Sequence, residues 1–241
     1  MEHVSREPFR RLNALLDRHE GDGDDLPPLG HWLCFLPPIP LPMRMWAGSR
    51  LTFHAPIPYE SEITRRSTIL DLKEKQGRTG PLAFLTVRHE IFAGHTLGVT
   101  DELDVVFRDR SGEGRQAAGE TRTAEVSRIV APTSALLFRY SALTFNAHRI
   151  HYDREYAQKT EGYPGLVVHG PLQATLLVDH FRRQRPNDPI RTVEFRAFRP
   201  VYDLAPFSLN YAARQDGAEL WTNDAEGYVA MSARVTAGGA A

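Results

Sequence analysis

Residues 170–178 open with Gly170-Pro171, continue as Leu-Gln-Ala-Thr-Leu-Leu-Val, and meet their first charge at Asp179. Proline is tolerated at the first helical position, so the Gly-Pro pair reads as a helix start. Leu172, Ala174, Leu176, Leu177 and Val178 then reach nearly every side of that helix. A helix apolar all round has no face to give to water, so its first turns must be enclosed. No apolar run approaches the roughly 20 residues that span a bilayer, so the enclosure has to be protein. His180, Arg182, Arg183 and Arg185 crowd the far end. Cations suit the negative pole of a helix there, and Gly170 marks the positive pole.

The rest of the chain offers strands to make the wall. Phe9, Leu12, Leu15 and Leu16 predict an amphipathic helix over about residues 6–19, broken by GDGDDLPP. A short helix at residues 32–36 precedes a proline-rich extended loop at 37–42. Residues 51–54, 63–72, 82–91 and 97–107 read as strands, with a hairpin turn at 73–80. Residues 108–120, RDRSGEGRQAAGE, are polar and glycine-bearing, which sets a domain boundary. Beyond it, strands are expected at 125–130, 192–201, 207–214 and 220–235, and a frayed tail at 236–241. The two units, 1–120 and 121–241, share an outline and read as a degenerate duplication. By pattern alone the fold class is α+β with antiparallel sheets.

Chemistry concentrates just before the apolar helix. His151 can exchange a proton near neutral pH, and Asn146 and His148 come within reach if the backbone turns. Asn146 by itself would be a helix cap. His169 is suited to brace the loop through a hydrogen bond. His148, His151 and Asp153 resemble a partial metal set, but no further ligand pattern accompanies them and no metal is assigned.

The pattern N-x-H-x-I-H-Y-D from Asn146, then Tyr163-Pro164-Gly165, then Val168-His169-Gly170, resembles the MaoC-like (R)-specific enoyl-thioester hydratases and dehydratases. It is most similar to their two-domain branch, which holds hydroxyacyl-thioester dehydratase type 2 and the mesaconyl- and itaconyl-CoA hydratases. In the first half, FLPPIPLPMRMWAGSRLTF and GRTGPLAFLTVRHE resemble the same branch. The resemblance implies a double hot-dog, two central helices each wrapped by a curved antiparallel sheet. It also implies hydration of a 2-enoyl thioester, or the reverse dehydration, with His151 as acid/base and the Gly170 N–H on the thioester oxygen. Asn146 stands where the family commonly has an aspartate. An amide orients water but cannot take its proton, so Asn146 receives a positioning role. His148 and His169 line the site. The resemblance makes Arg196 and Arg199 candidates for the phosphates of coenzyme A, which enters as part of the substrate with no separate cofactor. Arg44, Arg139 and Arg149 are candidates for a free carboxylate on a short dicarboxylic acyl group. The first half lacks the His/Gly motif and would shape the acyl tunnel.

Composition narrows the partners. A net charge of -1 gives no electrostatic reason to expect nucleic acid or an anionic membrane. The single Cys34 excludes an internal disulfide and reads as a core thiol. The N-terminus lacks the apolar region of a secretory signal, so a cytoplasmic location is expected. A homodimer is permitted. The rival activities are dehydration on an acyl carrier protein, thioester hydrolysis, and thioester binding without catalysis.

Overall fold

The helix that sequence required to be enclosed is α4 (Gly170–Gln184), and every residue from 172 to 181 is buried. The computed structural model describes residues 1–18, 23–36, 44–77, 80–108 and 119–238. Its strands are β1 (Glu2–His3), β2 (Arg44–Phe53), β3 (Glu62–Gly77), β4 (Gly80–Ala93), β5 (Thr96–Arg108), β6 (Val126–Val130), β7 (Ile190–Ala197), β8 (Phe207–Arg214), β9 (Gly217–Asn223) and β10 (Val229–Ala237). The longer helices are α1 (Glu7–Leu15), α2 (Ser134–Leu143) and α3 (Arg154–Lys159) beside α4.

All ten strands join one antiparallel sheet in the order β1-β3-β4-β5-β2-β7-β10-β9-β8-β6. Read inward from either edge, each half runs first, third, fourth, fifth, second. The chain thus lays down the same five-strand pattern twice, and the copies meet where β2 pairs with β7 from Gly48↔Arg196 to Thr52↔Thr192. The helices of each half fall between its first and second strands. Phe195 and Val193 of β7, Leu209 of β8, Leu220 of β9 and Met231 and Val235 of β10 join Leu172, Leu177 and Phe181 of α4 in the core. That inward set alternates with exposed positions such as Glu194 and Arg196 along β7, as a one-sided sheet requires.

Several sequence expectations shift. The first helix is shorter than expected, and residues 32–36 give a 3-10 turn at Gly30–Leu33. The proline run at 37–42, the turn residues 78–79 and most of the expected boundary, 109–118, lie outside the described residues. The strand expected over 220–235 is two strands. Asp224 breaks it by accepting the N–H groups of Glu226 and Tyr228, and Gly227 takes φ +88°. Thr236 and Ala237, expected to fray, pair with Thr192 and Ile190. Helices α2 and α3 lay unassigned in a stretch dominated by its polar motif. Cys34 is buried, and burial with the nearby Glu2 charge pushes its thiol up to about 12.

The far end of α4 also differs. His180 is buried and burial holds its pKa below the usual imidazole range, so it adds no cation there. The charge chemistry belongs to Asp179, a buried carboxylate bound by Arg18, by Arg128 at 3.0 Å and by Arg183 at 2.8 Å. Arg183 also donates to the carbonyl of Leu16 at 2.7 Å. One carboxylate therefore pins the residues after α1 and the edge strand β6 onto α4. Among the described residues no helix is long and apolar enough to cross a membrane.

Two substitutions test these joints by urea unfolding. At Gly48 an added Cβ would stand 2.3 Å from the Phe195 carbonyl oxygen, so the β2–β7 backbones must part. Gly48→Ala is expected to cost about 1–3 kcal/mol, the scale of overpacking. Asp179→Ala strands its arginines, each of which keeps some solvent, and is expected to cost about 2–4 kcal/mol.

Candidate active site

The polar motif is folded by local caps. Thr133 Oγ1 accepts the Leu136 N–H at 3.2 Å and starts α2. At the other end Phe145 takes φ +51°, and the Asn146 N–H returns to the Ser141 carbonyl at 2.8 Å. Asn146 Oδ1 then accepts the His148 N–H at 3.0 Å, which turns the chain into a short 3-10 helix, Arg149–His151. Asp153 caps α3 through the Tyr156 N–H, so this residue, once weighed as a metal ligand, is a helix cap. The loop into α4 comes back along the turn, where the Val167 N–H donates to the Ile150 carbonyl at 3.0 Å.

That return fixes His151. Its Nδ1 lies 2.7 Å from the Val167 carbonyl oxygen. A carbonyl can only accept, so Nδ1 carries the proton and Nε2 is left with the lone pair. The ring of His151 stacks on that of His169 at 3.7 Å and 19°, and the His148 ring stands edge-on to it at 5.6 Å. His169 is anchored through Nε2 to Ser141 Oγ at 2.8 Å. Burial pulls all three imidazoles down, His151 to about 3 and His169 well below the usual range, so the cluster is neutral at neutral pH.

His169 is also the residue before Gly170 and the N-cap of α4, with no side-chain cap bond. Pro171 has no N–H, which leaves the Gly170 amide at the positive end of a buried helix, one residue from the ring that stacks on His151. An added Cβ on Gly170 would stand 2.7 Å from Trp46 Cε3. Trp46 comes from β2 in the first half and packs with Trp32 and Phe195 at centroid distances of 6.0 and 6.1 Å. Behind it the buried Asp101 accepts from Trp32 Nε1 at 2.8 Å and faces His31 Nε2 at 3.3 Å.

The structure thus brings His148, His151, His169 and Gly170 together, with Asn146 shaping the turn that presents them. Two of the candidate arginines are engaged by carboxylates. Arg149 is exposed, held by Asp153 at 2.7 Å and laid over Tyr156. Arg199 is bound by Asp224 at 2.8 Å and Glu226 at 3.3 Å. Arg196 lies over Phe198 on the exposed face of β7. Arg139 is exposed on α2, and the Arg44 side chain lies outside the described residues. Among the described residues no group of three His, Cys, Asp or Glu is placed to hold a metal. Sequence reasoning passed over Trp46, Ser141 and the Val167 carbonyl. The -Val-Val-His-Gly- run carried a hint of the last, but Trp46 needed the tertiary fold.

Comparison with known proteins gives the family and the fold. The family model for hydroxyacyl-thioester dehydratase type 2 matches residues 15–203. Mesaconyl-C(4)-CoA hydratase of Chloroflexus aurantiacus is 42% identical over 240 residues, covering 89% of this chain and 84% of that protein. The crystal structure of HtdX from Mycobacterium tuberculosis superposes with TM-score 0.76 at 18% identity, covering 97% of this chain and 96% of that one. A second M. tuberculosis structure, described as a double hotdog fold, gives TM-score 0.59 at 13% identity over 98% of this chain and 92% of its own. The fold is the α+β double hot-dog, with α4 as the long central helix of the second half.

Buried neutral imidazoles make stability depend on pH. Their folded pKa values lie below the unfolded value, so the unfolded chain binds more protons and stability falls as pH drops below about 6.5. With its pKa at about 3, His151 alone should remove about 2 kcal/mol between pH 7 and 5. Urea unfolding across that range should show the loss, and His180→Gln should flatten the slope.

Proposed function

The chain belongs to the hydroxyacyl-thioester dehydratase type 2 family of MaoC-like hydro-lyases that act on acyl thioesters, and from that premise we propose that its substrate is a short branched or dicarboxylic enoyl-CoA such as mesaconyl-CoA or itaconyl-CoA. The observation that carries the chemistry is the fixed tautomer of His151, whose Nδ1 is tied to the Val167 carbonyl at 2.7 Å. The 42% identity to a mesaconyl-C(4)-CoA hydratase supports the acyl class.

In this reading His151 Nε2 takes a proton from water as the oxygen bonds to the β-carbon. The electrons of the C=C bond move onto the thioester oxygen, and the Gly170 N–H stabilises that enolate at the positive end of α4. The imidazolium then returns its proton to the α-carbon, so one water has been added and the histidine is regenerated. Dehydration retraces these steps. Asn146 holds the turn and orients the water. His148 and His169 line the site and keep His151 desolvated. Residues 1–120 act as the substrate-shaping unit, with Trp46 closing the first turn of α4, and residues 121–241 carry the catalytic groups. Arg44 and Arg139 are the candidates left for a free acyl carboxylate, because Arg149 is held by Asp153; Arg196 is the candidate left for the phosphates of coenzyme A, because Arg199 is bound by Asp224 and Glu226.

Purified protein with mesaconyl-CoA, itaconyl-CoA or crotonyl-CoA should bleach the conjugated enoyl absorbance without releasing free thiol. The dicarboxylic esters should be favoured over crotonyl-CoA by at least tenfold in kcat/KM, about the value of one extra charge-assisted contact. A preference for the crotonyl group on an acyl carrier protein would overturn the CoA assignment, and thiol release would point to thioester hydrolysis. His151→Ala should lower kcat by about 10²–10⁴ while the far-UV spectrum stays unchanged. Retention of the full rate would remove His151 from the mechanism.

A further inference from the structure

Resting on the hydro-lyase reading, we infer that Trp46 is the residue that sets acyl length: its indole, held against Gly170 by the first half of the chain, walls the site so that a short enoyl group fits and a long straight one does not. The contact is close. An added Cβ on Gly170 would stand 2.7 Å from Trp46 Cε3 and 3.2 Å from Cζ3, so the benzo edge of the indole lies against the Gly170 backbone. An acyl carbonyl bound by the Gly170 N–H has this ring as an immediate neighbour. The carbons beyond the carbonyl must pass the ring or stop at it.

A wall selects by length only if it does not yield, and Trp46 is held on two sides. Trp32 stands edge-on to it at 6.0 Å and 76°, Phe195 lies at 6.1 Å, and Trp32 and Phe195 are themselves 6.1 Å apart, which closes a triangle of rings. Each of the two supports is fixed in turn. Trp32 Nε1 donates at 2.8 Å to Asp101, a buried carboxylate that also faces His31 Nε2 at 3.3 Å. Phe195 is buried on β7, paired with Ser49 at the seam. Moving the indole aside would break that buried hydrogen bond or part the seam, and close-packed rings resist both. Trp46 itself is only partly buried, so the ring keeps a face for a ligand. An apolar face beside an exposed helix N–H is the combination that holds an acyl chain by its carbons and its carbonyl together.

The test is a ratio, kcat/KM for 2-octenoyl-CoA over that for crotonyl-CoA, because loss of folded protein lowers both alike and cancels. Wild type should favour the crotonyl ester by about tenfold or more, since one methylene in an apolar pocket already discriminates on that scale. Trp46→Ala should raise the ratio by about tenfold or more, chiefly through a lower KM for the octenoyl ester. A ratio that stays within about threefold of wild type, or a wild-type protein that takes both esters equally, overturns the inference. The second readout needs no turnover: by titration calorimetry Trp46→Ala should gain affinity for octanoyl-CoA relative to butyryl-CoA. If the wild-type protein hydrates no enoyl thioester, the proposed reaction fails while calorimetry still decides the wall, and an unmoved affinity ratio sinks it. Should Trp46→Ala not fold, Trp46→Leu takes its place: a shift toward the longer chain supports the wall, and an unchanged ratio removes it.

Discussion

Everything at the site depends on the pairing of β2 with β7. Five residue pairs stitch the two halves into one sheet, and Gly48 lets the backbones approach where any Cβ would meet the Phe195 carbonyl. Within β2, its pairing with β5 carries a bulge between Trp46 and Gly48. It lies beside the residue that re-aims toward the helix, a common use of a bulge near a site. The seam is therefore also the device that brings a first-half side chain onto Gly170. Hydrogen bonding between strands thus determines where Trp46 covers the helix terminus.

The second constraint is desolvation. Burial keeps His148, His151 and His169 neutral, which gives a lone pair ready to accept a proton and at the same time weakens it as a base. A proton taken up by such a ring would put an unsolvated positive charge in the core. The positive pole of α4 suits an anion and opposes a cation beside it.

Much of this was legible in the sequence. The Gly-Pro start and uncharged turns of α4 fixed its burial, because no other environment accepts such a helix. The strands followed from β-branched alternation, and the spacing of Asn146, His148, His151 and Gly170 brought the site together through a turn that local caps form. The rest was hidden for physical reasons. The break at Asp224 is a side-chain-to-backbone turn inside an otherwise strand-like run, and α2 was masked by the polar motif that follows it. His180 looked like a dipole cation because periodicity does not say which side chain the wall will cover. The arginines were read by type, but Asp153, Asp224 and Glu226 claim two of them, and ion pairing across distant segments leaves no mark on local spacing. Trp46 likewise acquires meaning only from what it is folded against.

The mirrored strand order has one more implication. Two identical subunits meeting at such a seam would present the same helix terminus twice, and every substitution would be felt at both. Joining them in a single polypeptide lifts that restriction. The halves can then diverge residue by residue, and here the first contributes the Trp46 ring that packs on Gly170, where the α4 of the second begins.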